Sequence, residues 1–448
     1  MSPQAGDARD IVLAHGVGGG ADLPIPFQFA VIGAAWALVI TFVVVAFAWR
    51  RPRFRGDESG VPLPAWLADV VDSAWTHAVV RVVALAFTAL FLTALLFGPD
   101  RLTNPAFGVF YVLIWVGLVP ASLLLGPIWR LASPVRLLHL GLARLLRTDP
   151  DAGLTTLPSW VGYWPASLGL FSFVWLELVY PNSTFLVALQ GWIGMYVAIL
   201  LVGSVAFGRV WFARADPFEV FSSLVARLSP FGRRTDGRLV ARNPLENLDG
   251  LVPRSGLVAV VSVLFGSTAY DSFSESPFWT AYTQSAGVDP VLLDTAALLG
   301  FVLVVALSFS LATMAVGGLG HIERRRLPRM FAHSMVPIIV GYFVAHYLTL
   351  FFETGQQTVA QLSDPLGTGA DLLGTADMGV TFFLSLHPTG LAVTKVVAVV
   401  LGHLFGAVSA HDRAVRVLPR GRELVGQLPL LLVMVLYTSG GLYLLLAA

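Results

Sequence analysis

The stretch HSMVPIIVGYFVAHYLTLFF, residues 333–352, decides the fold class. It holds no Asp, Glu, Lys or Arg. As a helix rising about 1.5 Å per residue it reaches about 30 Å, the thickness of a bilayer's hydrocarbon core. Two imidazoles, His333 and His346, stand inside it. Ionisable groups at such depth are costly and face the bundle interior or water. The pair therefore raises a question of function as well as of fold.

Nine further apolar runs accompany this one. The spans expected from the sequence are 27–49, 78–98, 105–128, 161–180, 184–208, 255–271, 292–318, 331–353, 388–410 and 427–446. The sixth is the weakest, since Gly256 and Gly266 interrupt it. Of the 448 residues, 56% are hydrophobic and 12% charged, half the usual charged share of about 25%. The class is an all-α, polytopic helical membrane protein with about ten transmembrane helices. A transmembrane barrel would need short alternating segments instead. The partner implied is the lipid bilayer, and the location the cell membrane. A net charge of +1 gives no sign of nucleic acid. The absence of cysteine excludes disulfides, thiolate ligands and cysteine nucleophiles.

The basic residues are sorted by linker. Of the 28 Lys and Arg, 24 follow spans one, three, five, seven and nine. They include Arg50, Arg51, Arg53 and Arg55, then Arg130, Arg136, Arg144 and Arg147, and later Arg324, Arg325, Arg326 and Arg329. The opposite side holds Arg9 and Arg101, while Arg81 and Lys395 lie within spans. The positive-inside rule then puts both termini outside. Residues 1–26 become an extracytoplasmic segment and 27–448 a single membrane domain, with a cytoplasmic loop at 209–254 and an acidic outer loop at 354–387. Val12-Leu13-Ala14 resembles the tail of a cleavage site, which would make His15 a mature N-terminus.

Residues 134–147, PVRLLHLGLARLLR, read as a basic amphipathic helix on the inner membrane surface, with His139 an interfacial residue. The 209–254 loop, too polar to span, carries one short helix near 217–228. Trp129, Trp160, Trp164, Trp211 and Trp279 fall near span ends, as interfacial anchors do. No repeat of twenty to fifty residues is visible.

The ionisable residues within spans are Arg81, Glu177, Asp271, Asp294, His333, His346, Glu353, Lys395 and His403. Thirteen residues at about 100° each put His333 and His346 some 140° apart around the axis, so they do not share a site. His333 caps the inner end. His346, Glu353 and Tyr342 share one stripe pointing to the outer side. Lys395 sits at a depth similar to His346 and needs a carboxylate: Glu353, Asp294 and Glu177 are the choices. Singly, the span-end carboxylates read as headgroup-layer residues; His346 with Lys395 reads as functional. Gly402, Gly406 and Ser409 or Ala410 form a small-residue stripe for close helix packing, with His403 beside it. His411-Asp412-Arg413 reads as a structural ion-pair network. A bis-histidine haem finds no matched pair of histidine spacings on spans eight and nine.

The segments AHGVGGGADLPIPF, STAYDSFSESPFW, VAHYLTLFFETGQ, SDPLGTGADLLGT and GHLFGAVSAHDRAV together resemble a family of bacterial and archaeal membrane proteins commonly labelled fenitrothion hydrolase. The resemblance runs over most of the chain and implies hydrolysis of an organophosphate ester, a small-molecule substrate. Such hydrolysis needs an activated water and charge stabilisation at the phosphoryl oxygen, usually from metal. His346, Lys395 and Glu353 are then the expected catalytic residues. A divalent metal ion would rest on His15, His346, His387, Asp364 and Asp371. A transporter or permease using Glu177, Asp294, His346 and Lys395 is the alternative. A non-catalytic metal-binding or assembly protein is the third.

Overall fold

Each of the ten expected spans carries helix in the computed structural model, which describes residues 18–315, 323–418 and 425–446. In chain order the helices that matter are α1 (Phe27–Ala48), α2 (Ala74–Phe97), α3 (Pro105–Ile114), α4 (Leu118–Leu125), α5 (Pro134–Leu146), α6 (Trp164–Leu178) and α7 (Leu186–Phe207). They continue with α8 (Pro217–Val225), α9 (Leu257–Ser274), α10 (Pro290–Met314), α11 (Met335–Thr349), α12 (Pro388–Val417) and α13 (Leu428–Leu446). Among the described residues, eight helices are long and apolar enough to cross a membrane, or nine when α3 and α4 count as one bent span. The chain is thus an all-α polytopic membrane protein. The fourth expected span, 161–180, holds α6, a helix of 15 residues, about 22 Å long.

The bend of 42° between α3 and α4 has a local cause. Residues Gly108–Ile114 wind as a π-helix, and such bulges bend helices. Gly108 is required there, because a Cβ would collide with the Thr358 side chain.

Contacts divide the chain into two compact units. The first comprises residues 1–54, 261–354 and 381–448. Its centre is α11, apolar on all sides and buried from Met335 through Phe343, as a fully enclosed helix should be. α12 packs on it through the expected glycine stripe. A Cβ on Gly402 would meet the Pro337 carbonyl at 2.6 Å, and one on Gly406 the Ser334 carbonyl at 2.7 Å. Gly266 does not interrupt its helix. It lets α9 approach the Val302 backbone of α10, where a Cβ would stand 2.8 Å from Cα. Phe29, Ile32, Trp36, Ile40 and Phe47 of α1 are exposed, an apolar face that hydrocarbon covers.

The second unit comprises residues 55–260 and 355–380. Its core is aromatic: Phe173 lies 4.7 Å from Trp115, 5.3 Å from Phe110 and 5.6 Å from Phe218, centroid to centroid. Phe218 belongs to α8, the short helix expected within the 209–254 loop. Eight of its nine residues are buried, so this part of the segment is core and not surface connection. Three short strands in the order β1-β3-β2, namely Val61–Pro62, Leu239–Ala241 and Phe231–Arg233, form an antiparallel sheet.

Candidate functional site

Three consecutive residues near the end of α9, Tyr270, Asp271 and Ser272, point to different partners because successive helical residues turn by about 100°. Tyr270 donates to Asp294 Oδ1 of α10 at 2.9 Å. Asp271 and Ser272 meet α11. On α11, Tyr342 and His346 are one turn apart and their rings stack, 6.4 Å between centroids. Tyr347 sets its ring edge-on to the imidazole at 4.5 Å.

Asp271 Oδ2 stands 2.8 Å from His346 Nε2 and accepts from the Tyr347 hydroxyl at 2.7 Å. His346 Nδ1 lies 3.2 Å from Ser272 Oγ, which is 3.0 Å from the Tyr342 hydroxyl. With Asp271 ionised, Nε2–H donates to it, and Nδ1 is left to accept from Ser272. The imidazole side chain is 6% exposed and the carboxylate 11%. The arrangement is a carboxylate, an imidazole, a hydroxyl and two phenols joined by hydrogen bonds among apolar helices. It can hold a proton and pass it between groups.

The expected site residues divide among several places. His346 is at the centre of this cluster, but its carboxylate is Asp271. Glu353 does not share its stripe. Leu350–Thr354 is a π-helix, and the extra residue in that turn shifts the phase by about 100°. Glu353 is buried and accepts from the Ser385 backbone N–H at 2.9 Å and its hydroxyl at 2.7 Å. Lys395 is buried, as expected of an inward-facing lysine. The charges of Glu275 and Asp22 reach it. Asp294 is held by Tyr270 and by Trp279 Nε1 at 2.8 Å, so Trp279 is tied to a carboxylate as well as to a span end. Glu177 belongs to the second unit.

The expected metal set is not assembled. Among the described residues no group of three or more His, Asp or Glu side chains is placed to hold a metal ion. Asp364 accepts from the backbone N–H groups of Gly369 and Thr368. The Gly369 N–H above all holds its carboxyl below the usual range. Asp371 is held low chiefly by the Ser363 hydroxyl, then by the Ala376 N–H. His387 is exposed, with Nδ1 on the Phe383 carbonyl at 2.7 Å. These groups are committed to their own turns. His15 lies outside the described residues.

Three further histidines pack. His333 Nδ1 faces the Met330 carbonyl at 3.0 Å and Nε2 the Ser409 carbonyl at 3.4 Å. His403 Nδ1 faces the Val399 carbonyl at 2.8 Å. His411 bridges Gln427 and the Trp49 carbonyl, each at 3.0 Å. Asp412 beside it accepts from Trp49 Nε1 at 2.8 Å and pairs with Arg416 at 3.3 Å, an ion pair within the segment where a network was expected.

A second buried polar cluster lies in the other unit, where the sequence reading placed no site. Arg136 of α5 grips Glu219 of α8 with a fork, Nε to Oε2 at 3.1 Å and Nη2 to Oε1 at 2.7 Å. Asp216 caps α8 through the Phe218 and Glu219 N–H groups. Its other oxygen accepts from Trp129 Nε1 at 3.0 Å and the Ser133 hydroxyl at 3.4 Å. Trp129 is therefore a half-buried donor here. Burial first, and then the negative charge of Glu219, push the Asp216 carboxyl up to about 7. His139 is likewise not a surface residue: it is buried, with Nε2 on the Pro150 carbonyl and Nδ1 near Ser204.

The fold and the first cluster define a polytopic membrane protein with a buried carboxylate–imidazole pair. In comparisons with known proteins, no family model, no curated protein and no solved structure matches this chain.

Proposed function

We propose that the protein is a proton-coupled transporter or permease of the cell membrane, in which the Asp271–His346 pair takes up and releases the proton. The observation that carries this reading is the 2.8 Å contact between the two groups inside membrane helices. An intramembrane carboxylate paired with an imidazole is the chemistry of a proton relay. Lys395, buried and reached by the charges of Glu275 and Asp22, supplies a second charged group in the same unit. The sorted arginines support an orientation with both termini on the outer side.

The test is proton movement into liposomes containing purified protein, read with an enclosed pH-sensitive dye under an imposed potential. Wild type acidifies the lumen, and His346→Ala and Asp271→Asn do so at least about tenfold more slowly while inserting normally. Equal rates for all three would overturn the proposal.

The Ser272 contact favours a second reading. A histidine held by a carboxylate on one nitrogen and a hydroxyl on the other can act as a general base, which fits the organophosphate hydrolase that the sequence motifs resemble. Turnover of a phosphotriester that persists with chelator and is lost in His346→Ala and Ser272→Ala would favour it over transport.

A further inference from the structure

α5 shows three sectors around its axis. One is turned into the protein: Arg136, His139 and Ala143 are buried, held by the Glu219 fork and by the Pro150 carbonyl. The next is an exposed apolar stripe of Leu138, Leu142 and Leu145, 54%, 42% and 79% accessible. Spacings of four and three residues put these on one line. Beyond the stripe, about 100° further round from Leu145, stands exposed Arg144. Arg147 ends the helix in a left-handed conformation, φ 54°, and Arg130 lies just before its start; both are exposed.

We infer that this face of α5 is a docking surface for anionic phospholipid. The occupant follows from the order of the sectors. An apolar stripe beside a basic edge matches the boundary between acyl chains and phosphate, and each arginine near an anionic lipid surface adds attraction. The buried sector fixes the helix so that the stripe and the edge face outward together. A water-soluble protein partner would leave three leucines and a basic edge matched only in part. A lipid covers both, the leucines by its chains and the arginines by its headgroups.

The experiment compares thermal unfolding of the purified full chain in detergent micelles doped with phosphatidylglycerol or with phosphatidylcholine of the same chains. Wild type gains several degrees in phosphatidylglycerol over phosphatidylcholine. Arg130→Gln, Arg144→Gln and Arg147→Gln combined lose more than half of that gain and keep the wild-type midpoint in phosphatidylcholine. Inorganic phosphate alone produces no gain. A triple variant that responds to phosphatidylglycerol as wild type does, or a phosphate response equal to that of the lipid, overturns the proposal. Native mass spectrometry of Arg144→Gln alone gives a second readout that does not depend on the triple variant folding. It should carry fewer phosphatidylglycerol adducts than wild type, and an unchanged adduct distribution would count against the surface.

Discussion

In one unit a buried carboxylate, Asp271, meets an imidazole and the Tyr347 phenol, and the Tyr342 phenol joins through Ser272. In the other, a buried carboxylate, Glu219, meets a guanidinium in a two-pronged grip. Both arrangements offset the cost of taking charge out of water. The difference lies in what each can still change. A guanidinium does not lose its proton at accessible pH, so the Arg136–Glu219 pair has one electrostatic state and serves as a fastener between α5 and α8. An imidazole can be neutral or protonated, so the Asp271–His346 pair can exist in more than one state. The first cluster suits chemistry, the second architecture.

The largest effect that can break this contrast is on Arg136–Glu219. Removing one partner of a buried pair leaves an uncompensated charge and costs about 3–5 kcal/mol. Glu219→Gln and Arg136→Met are each expected to lower the unfolding midpoint sharply and to cut the folded yield. The double variant Arg136→Met with Glu219→Leu is expected to recover much of the loss, because an apolar pair of similar volume needs no compensation. Thermal unfolding in detergent decides it. A double variant as unstable as either single one would show that the pair does more than fasten.

Asp271→Asn is expected to have the opposite profile, with its unfolding midpoint little changed. Asparagine still offers an oxygen to the Tyr347 hydroxyl, yet it no longer stabilises an imidazolium. Proton flux or turnover should fall by about tenfold or more, because an asparagine cannot take the proton that a carboxylate takes. A steep fall in stability with activity intact would place this cluster with the fastener.

A smaller effect concerns pH. Asp216 titrates at about 7 in the folded unit, above the ordinary value of about 3.9. Between those values the folded state holds a proton that the unfolded state releases, so stability is greatest at the acidic end and is lost as pH rises through about 7. Asp216→Asn, which keeps the helix cap, should flatten this slope between pH 5 and pH 8, as checked by unfolding midpoints across that window. An unchanged slope would assign it to another group.

The architecture was legible because it rests on patterns that a chain carries locally. Span length and the Gly402–Gly406 stripe each depend on neighbours a turn or a loop away. The site was legible only in part, for a physical reason. His346, Lys395 and Glu353 stand out in the sequence because they are ionisable groups in apolar runs. Their partners do not, since pairing depends on helix rotation. The π-turn at Leu350–Thr354 moved Glu353 off the His346 stripe, and no residue in that run announces a π-turn. Asp271 was visible only as a span-end carboxylate, and Ser272 and Tyr347 carry no charge to mark them. Asp216 and Glu219 were hidden for a related reason. Their segment is polar on average, while the nine residues of α8 form a buried helix.

The smallest expected effect belongs to Glu353, and it sharpens the contrast from within the first unit. Its carboxylate takes both the N–H and the hydroxyl of Ser385. Hydrogen bonds to a charged group contribute about 1.5–3 kcal/mol each. Glutamine keeps one acceptor oxygen, so Glu353→Gln should cost only part of one bond. Proton flux or turnover is then expected to stay within about twofold of wild type, well under the 1.4 kcal/mol that a tenfold change represents. The change should instead appear as faster amide exchange at Ser385 and its neighbours, where the segment before α12 is pinned. If Glu353→Gln abolishes activity while exchange at 381–387 is unaltered, Glu353 acts in the chemistry and the division drawn between pinning and proton-holding carboxylates in this unit is wrong.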